Sequence, residues 1–184
     1  HTCGARVTLA ETTDINSLVI QNFLLKSKLP QYLFTGGGII KTSVFETGKR
    51  LIHIHPGKVP SFRGSTCFYY SLLQDDLLGS TAFFMERKID AGKIIAQSCF
   101  RINYYIQSDQ PLFMDYILDP YIRAYTLKKV IKTMLIGDVF KMEPQSPGDK
   151  PTYYVMHPFL RHVAIKRINQ LYDPRQKSGI IEIF

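Results

Sequence analysis

Two histidines and one aspartate carry most of the chemistry that this sequence can offer. His53 and His55 lie in Leu51-Ile52-His53-Ile54-His55-Pro56, a short apolar run that reads as a strand. Side chains alternate along a strand, so both imidazoles share one face and Ile52 and Ile54 take the other. Two imidazoles at the end of a buried strand are costly to hide without partners. Pro56 stops the ladder just beyond them and opens that end to a ligand. The bland alternative is a histidine pair bonded to backbone. Asp90 lies in a sharp Ile89-Asp90-Ala91-Gly92 turn, where an aspartate ordinarily caps its own backbone. Gly36-Gly37-Gly38 follows the apolar run Tyr32-Leu33-Phe34-Thr35 and would let a flat ligand approach the main chain. Arg63-Gly64 is either a solvated loop or an anion clamp. A His-x-His pair with one distant carboxylate also suits a metal, but no fourth ligand is visible, so none is assigned.

These groups need a scaffold to bring them together. Strands are expected over 32–35, 51–55, 81–85 and 93–102, with a short entry strand over 5–9 and a weak one over 138–142. Helices are expected over 17–28, with Asp14 and Asn16 as candidate caps, over 65–75, and from an Asp109/Pro111 start to Leu135. Residues 143–152 hold three prolines and read as a linker. A basic helical pattern over 157–171 and the apolar end Ile180-Ile181-Glu182-Ile183-Phe184 follow. Short apolar strands alternating with helices predict an α/β fold, a mostly parallel sheet with helices on both faces. In such sheets ligands sit beyond the carboxyl ends of the strands.

The 184 residues make one ordinary domain, and 45% hydrophobic against 21% charged residues suit a buried core. No run approaches the roughly 18 apolar residues of a membrane span. Cys3, Cys67 and Cys99 are too scattered for a disulfide framework, which makes a reducing, cytoplasmic setting the default. A net charge of +8 favours acidic partners such as nucleotides or folate carboxylates.

Taken in order, the stretch from Ile52 through His53-Ile54-His55-Pro56 to Arg63-Gly64, then Gly79-Ser80-Thr81 and Ile89-Asp90-Ala91-Gly92, resembles the folate-dependent formyltransferases. That family carries an Asn-x-His-Pro strand end, a Ser-Leu-Leu-Pro-x-x-Arg-Gly loop and a Leu-Asp-x-Gly turn. The resemblance runs from about residue 8 to 142. It implies a Rossmann-like catalytic domain over 1–142, lacking the family's first strand–helix–strand unit, and a short C-terminal extension over 143–184. By position, His55 and Asp90 match the family's catalytic histidine and aspartate, and His53 stands where the family has asparagine. Gly57 and Lys58 replace its usual Ser-Leu.

The resemblance further implies that Phe34, Thr35, Gly36, Gly37, Gly38, Ile39 and Ile40 line a folate pocket. Glu86, Arg87, Ile89 and Gly92 would hold the pterin-like ring, and Lys58, Arg63 and Gly64 would face the acceptor. The implied activity is transfer of a formyl group from 10-formyltetrahydrofolate to an amine. An amino-sugar nucleotide is the leading acceptor, tRNA the lesser one, and a homodimer is left open. A formyltetrahydrofolate hydrolase or an inactive ligand-binding homologue are the alternatives.

Overall fold

The computed structural model describes residues 7–36, 38–107, 111–137, 139–146 and 151–183. Helix α1 (Leu18–Lys26) is capped by Ser17, whose hydroxyl accepts from the Ile20 amide at 3.4 Å. Neither Asp14 nor Asn16 is the cap. After α1 come β1 (Gln31–Phe34), α2 (Thr42–Phe45), β2 (Arg50–His55), the two-residue β3 (Arg63–Gly64) and α3 (Cys67–Asp75). Then follow β4 (Leu78–Phe84) and the long β5 (Ile94–Asn103). A short α4 (Pro111–Phe113) runs through a π-helical turn at Met114–Leu118 into α5 (Asp119–Leu135). The chain ends in β6 (Thr152–Tyr153), α6 (Pro158–Leu171) and β7 (Gly179–Glu182).

The main sheet has the order β1-β2-β4-β5-β7. Only β1 and β2 run parallel; β2–β4, β4–β5 and β5–β7 are antiparallel. The α/β class therefore holds, but the expected mostly parallel sheet does not. The reason lies in β4, where all seven residues are buried. A strand covered on both faces reads as one apolar run whichever way its neighbours point.

Helices do cover both faces. Val130 of α5 packs on Ile52, Ile54, Ala82 and Phe84. On the opposite face Leu51 meets Leu24 of α1 and Val44 of α2. That second face is the one His53 and His55 share, as the alternation requires.

The residues after 143 are built into the same structure. Ala164, Ile165 and Ile168 of α6 enter the main core with Phe68, Leu72, Leu78, Phe100 and Met114. The terminal apolar run extends the sheet, with Phe100–Asn103 paired to Gly179–Glu182. The described residues 139–142 form no strand; instead Glu143 makes an isolated bridge with Ile94. Residues 7–9 have no regular structure, and Asp109 and Phe184 lie outside the described residues.

Candidate active site

The ends of β1 and β2, the turn after β4 and the β3–β6 pair surround a cleft of about 410 Å³. Of the residues expected on its ring-binding walls, Phe34, Gly36, Gly38, Ile39, Ile40, Glu86, Arg87 and Ile89 line it. Thr35 and Gly92 do not, and Gly37 lies outside the described residues. His53, Asp90 and Gly64 also line the cleft. Lys58 and Arg63 are not among its lining residues.

His55 lies beneath the cleft and is only 2% exposed. Its Nε2 is 2.9 Å from the carbonyl oxygen of Phe62. A carbonyl can only accept, so Nε2 carries the proton. The other ring nitrogen, Nδ1, faces Asp90 Oδ2 at 3.6 Å, too long for a hydrogen bond but close for a charge contact. Burial is the larger influence on this ring and pushes its pKa down, while the Asp90 charge pulls it up. The resting imidazole is therefore neutral at pH 7. His53 behaves alike: burial lowers its pKa, and a hydrogen bond to Phe34 and the Asp90 charge oppose that. The two rings lie 6.3 Å apart, and Phe83 sits edge-on to His53 at 5.8 Å.

Asp90 is held by its surroundings rather than by its own turn. Its φ of 48° lies in the left-handed region, which aspartate tolerates better than most residues. Oδ2 accepts the Gly64 amide at 2.7 Å, which ties the turn to β3. Gln145 Nε2 donates to the carbonyls of Asp90 and Gly92 at 2.8 and 2.9 Å. Gln145 Oε1 in turn accepts from Arg63 Nε at 3.0 Å and from Arg63 Nη2. Arg63 is the candidate anion clamp, but the residue is only 6% exposed and two of its nitrogens are spent on Gln145. It braces the turn that carries Asp90. Gly92 is fixed by crowding, since a Cβ there would fall 1.6 Å from the Phe84 carbonyl oxygen.

Several positioning residues escape a reading of the sequence. Gln145 sits in a proline-rich stretch with no local pattern to mark it. Asn16 fixes the 39–41 wall: its Nδ2 donates to the Ile39 carbonyl and its Oδ1 accepts the Lys41 amide. Thr81 and Gln97 pin the loop after Pro56, through Thr81 Oγ1 to the Gly57 carbonyl at 2.7 Å and Gln97 Nε2 to the Val59 carbonyl at 2.6 Å. Thr152, Tyr153 and Tyr154 close one side of the cleft. They are held there by the parallel β3–β6 pairing and by the Ser65 amide, which donates to the Tyr153 carbonyl. Gly64 makes that approach feasible: its φ is 100°, and a Cβ would lie 2.2 Å from the Tyr153 carbonyl oxygen.

Among the described residues, no group of three or more His, Cys, Asp and Glu side chains is arranged to hold a metal ion. No helix among them is long and apolar enough to cross a membrane.

No family model matches the sequence. The chain is 28% identical over 129 residues to a methionyl-tRNA formyltransferase of Ligilactobacillus salivarius, covering 66% of this chain and 39% of that protein. Among solved structures it is similar to a sugar N-formyltransferase from a Shewanella species, with TM-score 0.58 and 16% identity over 84% of this chain and 65% of the other. A 4-N formyltransferase from Francisella tularensis gives 0.54 and 21%, over 86% and 67%. HypX from Aquifex aeolicus, solved in complex with tetrahydrofolic acid, gives 0.56 and 18%, over 86% of this chain and 28% of that one. The chain thus spans less than half the length of the curated relative it matches, and its fold is the formyltransferase fold.

Proposed function

We propose that this protein is an enzyme that transfers a formyl group from 10-formyltetrahydrofolate to an amine, and that the amine belongs to a nucleotide-linked amino sugar. The observation that carries the reading is the convergence of His53 and Asp90 on one cleft, with His55 buried directly beneath against Asp90, from positions up to 37 residues apart in the sequence. The walls of that cleft are the segments that the family likeness assigns to the folate ring. The fold comparisons point the same way.

The donor supplies an electrophilic carbon at the formyl level of oxidation. The chain has three tasks around it. First, Gly36, Gly38, Ile39 and Ile40 on one wall and Glu86, Arg87 and Ile89 on the other would hold a flat ring. Gly38 suits this, because its φ of 96° excludes most side chains and the space at its Cβ position is open. Second, Phe34, Phe45, Phe83 and Met85 line the cleft and keep water from the reacting carbon. Third, the neutral His53 imidazole at the cleft wall can take up a proton while the Asp90 carboxylate stabilises the resulting positive charge. The net charge of +8 and the exposed Tyr154 ring at the cleft edge favour an anionic acceptor with a flat base.

The test is to supply 10-formyltetrahydrofolate with and without a panel of amines, nucleotide-linked amino sugars among them. Tetrahydrofolate should form only when an amine is present. Formate release without amine would make the protein a hydrolase. Failure to bind the folate at all would overturn the reading.

A further inference from the structure

At the position where the resembled family has asparagine, the bonding of His53 has a chemical consequence that rests on the transfer reading above. An asparagine amide presents N–H donors. The His53 ring does not, because its Nδ1 lies 3.2 Å from the carbonyl oxygen of Phe34. The two residues are register partners across the parallel β1–β2 pair, so the contact is fixed by the sheet. A backbone carbonyl offers no proton, hence Nδ1 holds the single N–H of the neutral ring and Nε2 carries a bare lone pair.

The ring is clamped in this orientation. Phe83 stands edge-on to it at 5.8 Å and Phe34 lies tilted at 6.1 Å. His53 lines the cleft, and no described residue bonds to its Nε2. His55 cannot take its place, since it is buried below and its own Nε2–H is committed to Phe62. The charged groups nearby are Asp90 on the turn after β4 and Arg123 of α5, which act on the ring in opposite senses. Glu86 and Arg87 line the same cleft.

We infer that His53 is the proton acceptor for the attacking amine, in place of the hydrogen-bond donor that an asparagine would supply. The amine nitrogen forms its bond to the formyl carbon and loses one proton to Nε2 of His53. The bond from the formyl carbon to the donor nitrogen then breaks, and that nitrogen recovers the same proton from the imidazolium. Atoms and charge balance with no other reactant, and the Asp90 carboxylate stabilises the transient cation.

The experiment has two arms. Nitrogen-15 NMR of the imidazoles in the whole chain should show His53 neutral at about pH 7.5, with the proton on Nδ1. An Nε2–H tautomer, or an imidazolium at that pH, would overturn the inference whatever the enzyme does. In the kinetic arm, His53→Asn should lower turnover about 10²-fold or more. The wild-type rate should fall on acidification through the His53 pKa, and free imidazole should partly restore His53→Ala. A His53→Asn enzyme with wild-type turnover would refute the acceptor role. If the wild type moves no formyl group to any amine, the transfer reading and the acceptor role fail together, while a His53 that holds its proton on Nδ1 and whose Nε2 resonance shifts with added amine shows that the tautomer assignment itself was right.

Discussion

Replacing Asp90 with asparagine keeps the shape of the site and removes its charge. The asparagine oxygen can still accept the Gly64 amide, now 2.7 Å from Oδ2, so the turn should stay in place. What disappears is the carboxylate 3.6 Å from His55 Nδ1. At an effective dielectric near 20, two unit charges at that separation attract by about 4–5 kcal/mol. Such an energy corresponds to roughly three pKa units of imidazole proton affinity. The proton-accepting His53 ring lies farther from the carboxylate than His55, so this figure sets a ceiling of about 10³-fold on the loss of a rate that passes through its protonated form. The Asp90 side chain is 12% exposed, so water screens part of this, and a loss of about 10²-fold in turnover is expected. Single-turnover measurement with donor and amine in excess of their dissociation constants isolates that step, and calorimetry checks that the donor still binds. The Asp90→Asn, His53→Asn double variant should lose no more than the worse single variant, because the carboxylate acts on the rate through that ring. Near-wild-type turnover in Asp90→Asn, or strictly additive losses in the double variant, would refute the reasoning.

Gln145→Leu strands the buried Arg63 guanidinium and frees the carbonyls of Asp90 and Gly92; we expect about 3 kcal/mol lost in urea unfolding and a larger fall in kcat than rise in KM. Gly64→Ala strains a φ of 100° and meets the Tyr153 carbonyl oxygen, so it should cost about 2 kcal/mol or more and expose the amides around β6 to hydrogen exchange. Both histidines have pKa values depressed below 6.5 in the fold, so the unfolded chain binds more protons as the pH falls from there. Stability should be fully present above about pH 7 and decline below pH 6.5; urea midpoints measured across that range would show it, and a flat or opposite trend would contradict burial of neutral rings.

The sequence made the floor of the site legible because strand alternation and the Pro56 stop act over six residues. His53 and His55 share a face for that reason alone. The turn at Asp90 was legible as a turn, but not what fixes it. Its supports are Gly64 and Gln145, 26 and 55 residues away, and a glutamine in a proline-rich stretch gives no periodic signal. Arg63 misled for a related reason. An arginine in a loop next to a cleft looks solvated until its partner, 82 residues further on, is known. Strand direction was hidden too, since Leu78–Phe84 is buried throughout and lacks the alternation that marks a half-exposed antiparallel strand. The two-residue β6 is too short to announce itself as a strand in the sequence.

The Arg63–Gln145–Asp90 linkage also bears on how the protein comes into being. During synthesis the strand with both imidazoles and the Asp90 turn leave the ribosome well before residue 145 and the β6 residues that pair with Gly64. Until those later residues dock, the carboxylate has no brace at its backbone and the cleft lacks a side. A nascent or prematurely released polypeptide is therefore expected to lack the finished cleft until residue 145 and β6 have docked.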